Sequence, residues 1–293
     1  MAYEEDIASW LEQAREMSEK TEETLSDGRK PMEVAEQLIE RCLRYDAANG
    51  NALSAWVDLY VRTGRGPLVM KRLQKIIRDV PTAIGPYRAV SAFLRITGKL
   101  DLAIQYFQDA LQQAEPSLHS VLHLCLSELY ACKGNLAALR LSRVNITTVI
   151  DPIMQGMLFL EDNDVQGLLQ LSEKITDNET MKYTVWGMMA EAQGDLDNAG
   201  KYFFHVSEQE DANWYAYNTL AQMWLQHKNV EYTLAYLESA EALAPNAPEI
   251  RLTRARYYQL NEQPEKAKPI KEKLLSLEGC FSRTRKMAQR HLW

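Results

Sequence analysis

Hydrophobic and polar positions along this chain alternate with the rhythm of short amphipathic helices. Between residues 183 and 274 apolar side chains recur at i, i+3, i+4 and i+7, the spacing that lines one face of an α-helix. The runs come in pairs, broken by the turn-forming triplets Gln193-Gly194-Asp195, His227-Lys228-Asn229 and Asn261-Glu262-Gln263. Tyr183-Trp186-Gly187-Ala190 returns 34 residues later as Tyr217-Leu220-Ala221-Trp224, and 34 residues after that as Arg251-Arg254-Ala255-Tyr258. Each closes on a second trio: Ala199-Phe203-Val206, Thr233-Leu237-Ala240 and Ala267-Lys271-Leu274. A fixed period of this size predicts stacked helix hairpins, because one hairpin cannot bury its apolar face by itself. Small Gly187, Ala221 and Ala255 stand at one equivalent position, where they let a paired helix approach to roughly 8–10 Å. Pro245 is expected to stop the second helix of its unit, having no N–H to continue it.

The same pattern extends towards the N-terminus. A unit starting near Ile84 carries Tyr87, Ser91, Leu94, Gly98, Ala103, Phe107 and Ala110, with Pro116 following. One starting near Gly50 carries Trp56, Tyr60, Gly64, Val69, Leu73, Ile76 and Pro81. Two units between depart from it. One has Ser127, Tyr130 and Gly134, but Leu139 and Arg143 where an alanine and an aromatic belong; the other has Gly156, Phe159, Leu168 and Ile175. From about Gly50 to Gly279 the chain resembles the tetratricopeptide repeat, with about seven copies. The resemblance implies an all-α, right-handed superhelical solenoid of antiparallel helix hairpins.

The ends and one interior stretch fall outside the pattern. Residues 1–49 read as a capping hairpin: a first helix from about Glu4 to Leu25, a turn at Ser26-Asp27-Gly28, and a second helix from Pro31. Residues 50–144 form a front block of repeats and 152–279 a back block. The β-branched run Val144–Ile150, followed by Asp151-Pro152, predicts an irregular linker over 145–151. Residues 280–293 read as a final capping helix, Ser282 to Trp293, covering the last repeat. Its terminal Leu292-Trp293 either packs back onto that repeat or offers a docking point to another subunit.

Composition narrows the function classes. No run reaches the roughly 18 apolar residues that a membrane span requires, so none is expected. The acidic start Met-Ala-Tyr-Glu-Glu-Asp lacks the basic and apolar regions of an export signal, which points to the cytoplasm. Cys42, Cys125, Cys132 and Cys280 form no CxxC pair and read as structural thiols. Net charge is −7, and an acidic balance argues against nucleic acid as a partner. The charge is unevenly placed: residues 1–49 hold 13 acids and 6 bases, residues 262–293 hold 4 acids and 8 bases. The tail's bases, Arg283 and Arg285 among them, offer either a contact for RNA or a membrane surface or, more simply, a solvated helix face.

Catalytic chemistry is hard to find. His119 and His123 share a helix face at i,i+4 but have no adjacent glutamate and no third ligand. Gly64-Arg65-Gly66-Pro67 has no strand before it and reads as an interhelical turn, not a phosphate loop. The acids read as exposed. No enzyme activity, metal or cofactor is expected.

In the family the chain resembles, first helices of successive units line a concave groove that takes another polypeptide. Carried over, those positions give Arg62, Arg88 and Arg95 at the front. Leu124, Ile153, Met157, Leu160, Met181 and Met188 form an apolar, methionine-rich middle, and Asn218 and Gln222 lie at the back. The family's lysine/arginine–asparagine clamp for a terminal carboxylate is not reproduced. The expected function is a non-enzymatic protein–protein adaptor or scaffold, a chaperone or assembly factor of a larger complex, holding a helical or extended segment. The alternative is a self-assembling structural protein, its acidic head meeting its basic tail in a weak homo-oligomer.

Overall fold

The computed structural model describes residues 2–20, 24–25, 28–244, 247–276 and 280–291. Pro245, Ser26-Asp27 and Leu292-Trp293 therefore lie outside the described residues. Those described are helical with no strand. The chain divides into two compact units, 1–129 and 130–293.

Among the described residues a leading pair, α1 (Ala2–Glu19) and α2 (Pro31–Tyr45), precedes seven antiparallel hairpins. These are α3 (Gly50–Arg62) with α4 (Pro67–Asp79), α5 (Ile84–Ile96) with α6 (Leu100–Gln113), and α7 (His119–Lys133) with α8 (Leu136–Arg143). They continue with α9 (Pro152–Glu161) and α10 (Val165–Lys174), and α11 (Glu179–Gln193) and α12 (Leu196–Ser207). The last two are α13 (Trp214–Gln226) with α14 (Val230–Leu243), and α15 (Pro248–Leu260) with α16 (Pro264–Ser276). A single helix, α17 (Ser282–His291), follows. The described residues are thus all-α, built from tetratricopeptide-like hairpins. α1 ends at Glu19, short of the expected Leu25, because its apolar stripe runs out at Met17.

Every hairpin closes on the same turn. One residue adopts a left-handed conformation: Gly64, Gly98, Gly134, Asn163, Gly194, Lys228 and Glu262 in order. The next residue's amide reaches back five positions, as from Arg65 to Tyr60 (2.8 Å), Asp164 to Phe159 (2.9 Å) and Gln263 to Tyr258 (2.8 Å). This is the Schellman closure, which satisfies carbonyls that a helix end leaves open. An Asx side chain then caps the second helix in the middle hairpins, as Asn135, Asp164, Asp195 and Asn229 do. Left-handed backbone strains Lys228 and Glu262, because a Cβ there crowds the following carbonyl. Lys228→Gly and Glu262→Gly should each stabilise the protein by about 0.5–1 kcal/mol. A higher denaturant midpoint at unchanged slope is the expected result; an unchanged or lower midpoint rejects it.

In unit 1 the core is built from α3 and α5, sandwiched between their own partners and their neighbours. Leu53, Trp56, Val57 and Leu59 are buried on α3, and Tyr87, Val90, Phe93 and Leu94 on α5. The two helices start in close contact at Gly85, where an added Cβ would lie 2.2 Å from the carbonyl oxygen of Ala48. Within unit 2 the third hairpin's departure from pattern has a structural reason. Arg143 is buried where an aromatic was expected, its guanidinium 4.2 Å from the Phe159 ring centre. It donates to the Leu158 carbonyl (3.0 Å), Asp162 (2.8 Å) and Asp164 (2.6 Å), so it packs as a flat ring while neutralising the C-terminal end of α9.

Candidate functional site

First helices α9, α11, α13 and α15 of unit 2 present one continuous wall, and α17 lies on it. Between them remains a cavity of about 50 Å³, enough for a few water molecules and no more. Its wall side is formed by Met157, Leu160, Tyr215, Asn218, Gln222 and Leu252; Phe281, Arg283, Thr284 and Met287 of the α17 segment line the other side.

The contacts that seat α17 are mostly polar and come from four first helices, α7, α9, α11 and α15. Glu161, at the end of α9, accepts from the Ser282 hydroxyl and from the Arg283 amide (3.1 Å), capping the N-terminus of α17 with a carboxylate. Arg283 pairs with Glu191 of α11 (2.5 Å) and reaches the Leu160 carbonyl (3.4 Å). The Thr284 hydroxyl donates to Glu249 of α15 (2.7 Å). Arg285 donates to the Cys132 carbonyl near the end of α7 and to the Cys280 carbonyl (3.0 Å). Two arginines thus sit on the negative ends of two helices. The apolar share is small: Phe281 and Ala288 are buried, and Ala288 joins Leu252, Ala255, Ala267 and Leu274.

Burial pushes the Glu161 carboxyl up, against the opposing effect of Ser282 and the Arg283 amide. Burial, with Glu191 beside it, also raises the Tyr215 hydroxyl well above its ordinary value; that hydroxyl donates to Glu191 (3.0 Å). Burial opposes the charge on Arg283, but Glu191 and the other neighbours outweigh it and the guanidinium's pKa rises. One group on the wall is left over. Asn218 is buried, and its Oδ1 has no hydrogen-bond partner among the described residues.

The residues expected in a groove separate into three sets. Met157, Leu160, Asn218 and Gln222 come together on the wall, beneath α17. Leu124 and Met188 are fully buried core: a Cβ on Gly156 would lie 2.3 Å from the Met188 sulfur, which fills the space between α9 and α11. Ile153 and Met181 are half-buried on α9 and α11 and do not line the cavity. The front arginines face acids of their own unit. Arg62 pairs with Asp58 one turn back, while Arg88 (3.3 Å) and Arg95 (3.9 Å) flank the buried Glu128 of α7. Exposed acids were expected throughout, and Glu128, Glu161 and Glu191 correct that reading. Arg283 and Arg285 likewise are engaged rather than a solvated face. The tail helix does reach the last repeat, through α15 and α16, but it also runs onto α9 and α11.

Among the described residues no group of three or more His, Cys, Asp or Glu is placed to hold a metal, and no helix is long and apolar enough to cross a membrane.

No protein-family model and no curated protein matches the chain. Solved structures resembling it include one chain of the APC/C hetero-tetramer Cut9–Hcn1, at 12% identity and TM-score 0.47, aligned over 96% of this chain. This chain spans 58% of that one's length. A tetratricopeptide repeat protein from Parabacteroides merdae aligns at 15% identity and TM-score 0.48, over 81% of this chain and 98% of its own. The tetratricopeptide domain of P58(IPK) aligns at 14% identity and TM-score 0.24, over 97% and 88%. What defines the class is the chain's own geometry: among the described residues, seven helix hairpins, each closed by the same left-handed turn. It is a tetratricopeptide-like helical-hairpin protein.

Proposed function

We propose that the protein is a non-enzymatic adaptor that holds a segment of another protein against the wall of α9, α11, α13 and α15. One observation carries this reading: the wall already grips a helix, using carboxylates from three first helices in register with that helix's hydroxyls and arginine. A surface that reads a helix by spaced polar contacts is a recognition surface, whereas generic core contact would be apolar. Assembly of a larger complex is the role such a holder serves. Head-to-tail self-assembly is the weaker reading, because Arg283 and Arg285 of the basic tail are already committed within their own unit.

The test replaces two wall acids, Glu191→Lys with Glu249→Lys, in the full chain. Proteins co-purifying with the wild type are quantified against the variant by mass spectrometry. Loss of the wild-type partners by about tenfold or more, the factor that 1.4 kcal/mol produces, is the expected outcome. An identical partner profile from a variant that keeps its helical spectrum removes this wall as the grip.

A further inference from the structure

We infer that α17 is a tethered occupant of the guest site, and that the guest which displaces it is a cationic protein helix opening with a hydroxyl–arginine–hydroxyl triplet. The inference rests on the adaptor reading and names the chemistry of its guest. Ser282-Arg283-Thr284 is the template. The hydroxyl of the first residue meets Glu161, the arginine bridges Glu191 and the Leu160 carbonyl, and the hydroxyl of the third meets Glu249. Each of the three carboxylates lies on a different first helix, so the wall measures both the side-chain types and their spacing. Its charge selects a cation: three carboxylates converge with the carbonyl ends of α7 and α9.

Three features mark α17 as replaceable. Its sequence, Ser-Arg-Thr-Arg-Lys-Met-Ala-Gln-Arg-His, contains only Met287 and Ala288 as apolar residues, so its seat depends on hydrogen bonds and ion pairs that water and salt weaken. Its fit is incomplete, since the cavity of about 50 Å³ persists beneath it. Asn218 is one of the residues lining that cavity, and its Oδ1 is a buried acceptor without a donor among the described residues. A guest placing one donor there satisfies a group that α17 leaves unpaired, and a buried unpaired acceptor favours whichever ligand satisfies it. A tethered competitor acts at millimolar effective concentration, so it screens out weak guests and yields to a better-matched one.

The probe is a fluorescein-labelled peptide of residues 280–291 carrying Cys280→Ser, read by anisotropy against the full-length chain at low salt. Wild type should bind it weakly, because its own α17 holds the wall. The Arg283→Ala chain should bind it about tenfold more tightly or better, since its competitor has lost its anchor while the wall is intact. Adding Glu191→Ala to that chain should abolish binding, as should Arg283→Ala within the peptide. Equal affinity of wild type and Arg283→Ala, or binding that survives Glu191→Ala, overturns the inference. A second readout needs no variant: raising salt from about 50 to 500 mM should accelerate amide exchange in 282–291 but not in α11 or α13. Salt-independent protection of α17 also overturns it. If no chain takes the peptide while Glu191→Lys with Glu249→Lys still loses its partners, the tethered-occupant inference falls and the adaptor reading stands.

Discussion

Replacing Phe203 by alanine should lower the unfolding free energy by about 3–5 kcal/mol. The ring is fully buried on α12 and fills the hollow that Gly187 leaves on α11. A Cβ on Gly187 would meet that ring at 2.6 Å, so the two positions are fitted to each other, a large side chain against none. The ring also lies 5.8 Å, centre to centre, from that of Tyr215 on α13 and so binds one hairpin to the next. Neighbours fixed in helices cannot collapse into the space, and the cavity adds to the lost transfer energy. Because stacked hairpins share stability through their interfaces, the loss should spread beyond α11 and α12 to α13. Chemical denaturation measures the size and amide exchange its location; a change under about 1 kcal/mol would show the contact to be slack. A double-mutant cycle isolates the fit. Gly187→Ala alone should destabilise by about 1–3 kcal/mol, and adding Phe203→Leu should recover part of it, a coupling that unlinked sites would not show.

The second large effect lies in unit 1. Changing Arg88 and Arg95 together to Met should destabilise that unit by about 3–5 kcal/mol, by leaving Glu128 buried without its counter-charges. The carboxylate is 3% exposed, with Arg88 at 3.3 Å and Arg95 at 3.9 Å from its oxygens. Adding Glu128→Leu to the double variant should restore most of the loss, because apolar replacement of a whole buried ion group is often neutral or better. Thermal melts of the wild type and both variants decide it. If the double variant melts with the wild type, the arginines do not support the fold and become available to acids on a partner.

The C-terminal hairpins were legible because three independent signals coincided in each of their three copies: the apolar spacing, the turn residues and the small residue at the helix crossing. Legibility dropped in the middle of the chain for a physical reason. Successive left-handed turn residues are 34 apart at both ends of the array, but Gly98, Gly134, Asn163 and Gly194 are separated by 36, 29 and 31. A strict period misses the fourth hairpin, whose helices have 10 residues each. Arg143 hides the third, since a guanidinium stacked on Phe159 does an aromatic's packing without an aromatic's letter.

The wall was half legible. Met157, Leu160, Asn218 and Gln222 follow from the groove positions of the repeat family the chain resembles, carried over at the same helix phase. Met188 and Leu124 share that phase yet are core, since burial also depends on how closely the neighbouring helix approaches. Glu161, Glu191 and Glu249 were missed because each, taken alone, is one acid among 40. A reading of tail and wall together had a signal available: a serine–arginine–threonine triplet in a chain whose first helices carry acids.

Local chemistry was therefore enough to specify the helices, their turns and the need to stack, because caps, Schellman closures and apolar stripes act within a few residues of one another. Where the tail goes was settled only by tertiary structure. Glu161 and Ser282 are 121 residues apart, and no pattern within either segment names the other. Their meeting depends on how the intervening hairpins pack, which brings three carboxylates to the successive residues Ser282, Arg283 and Thr284.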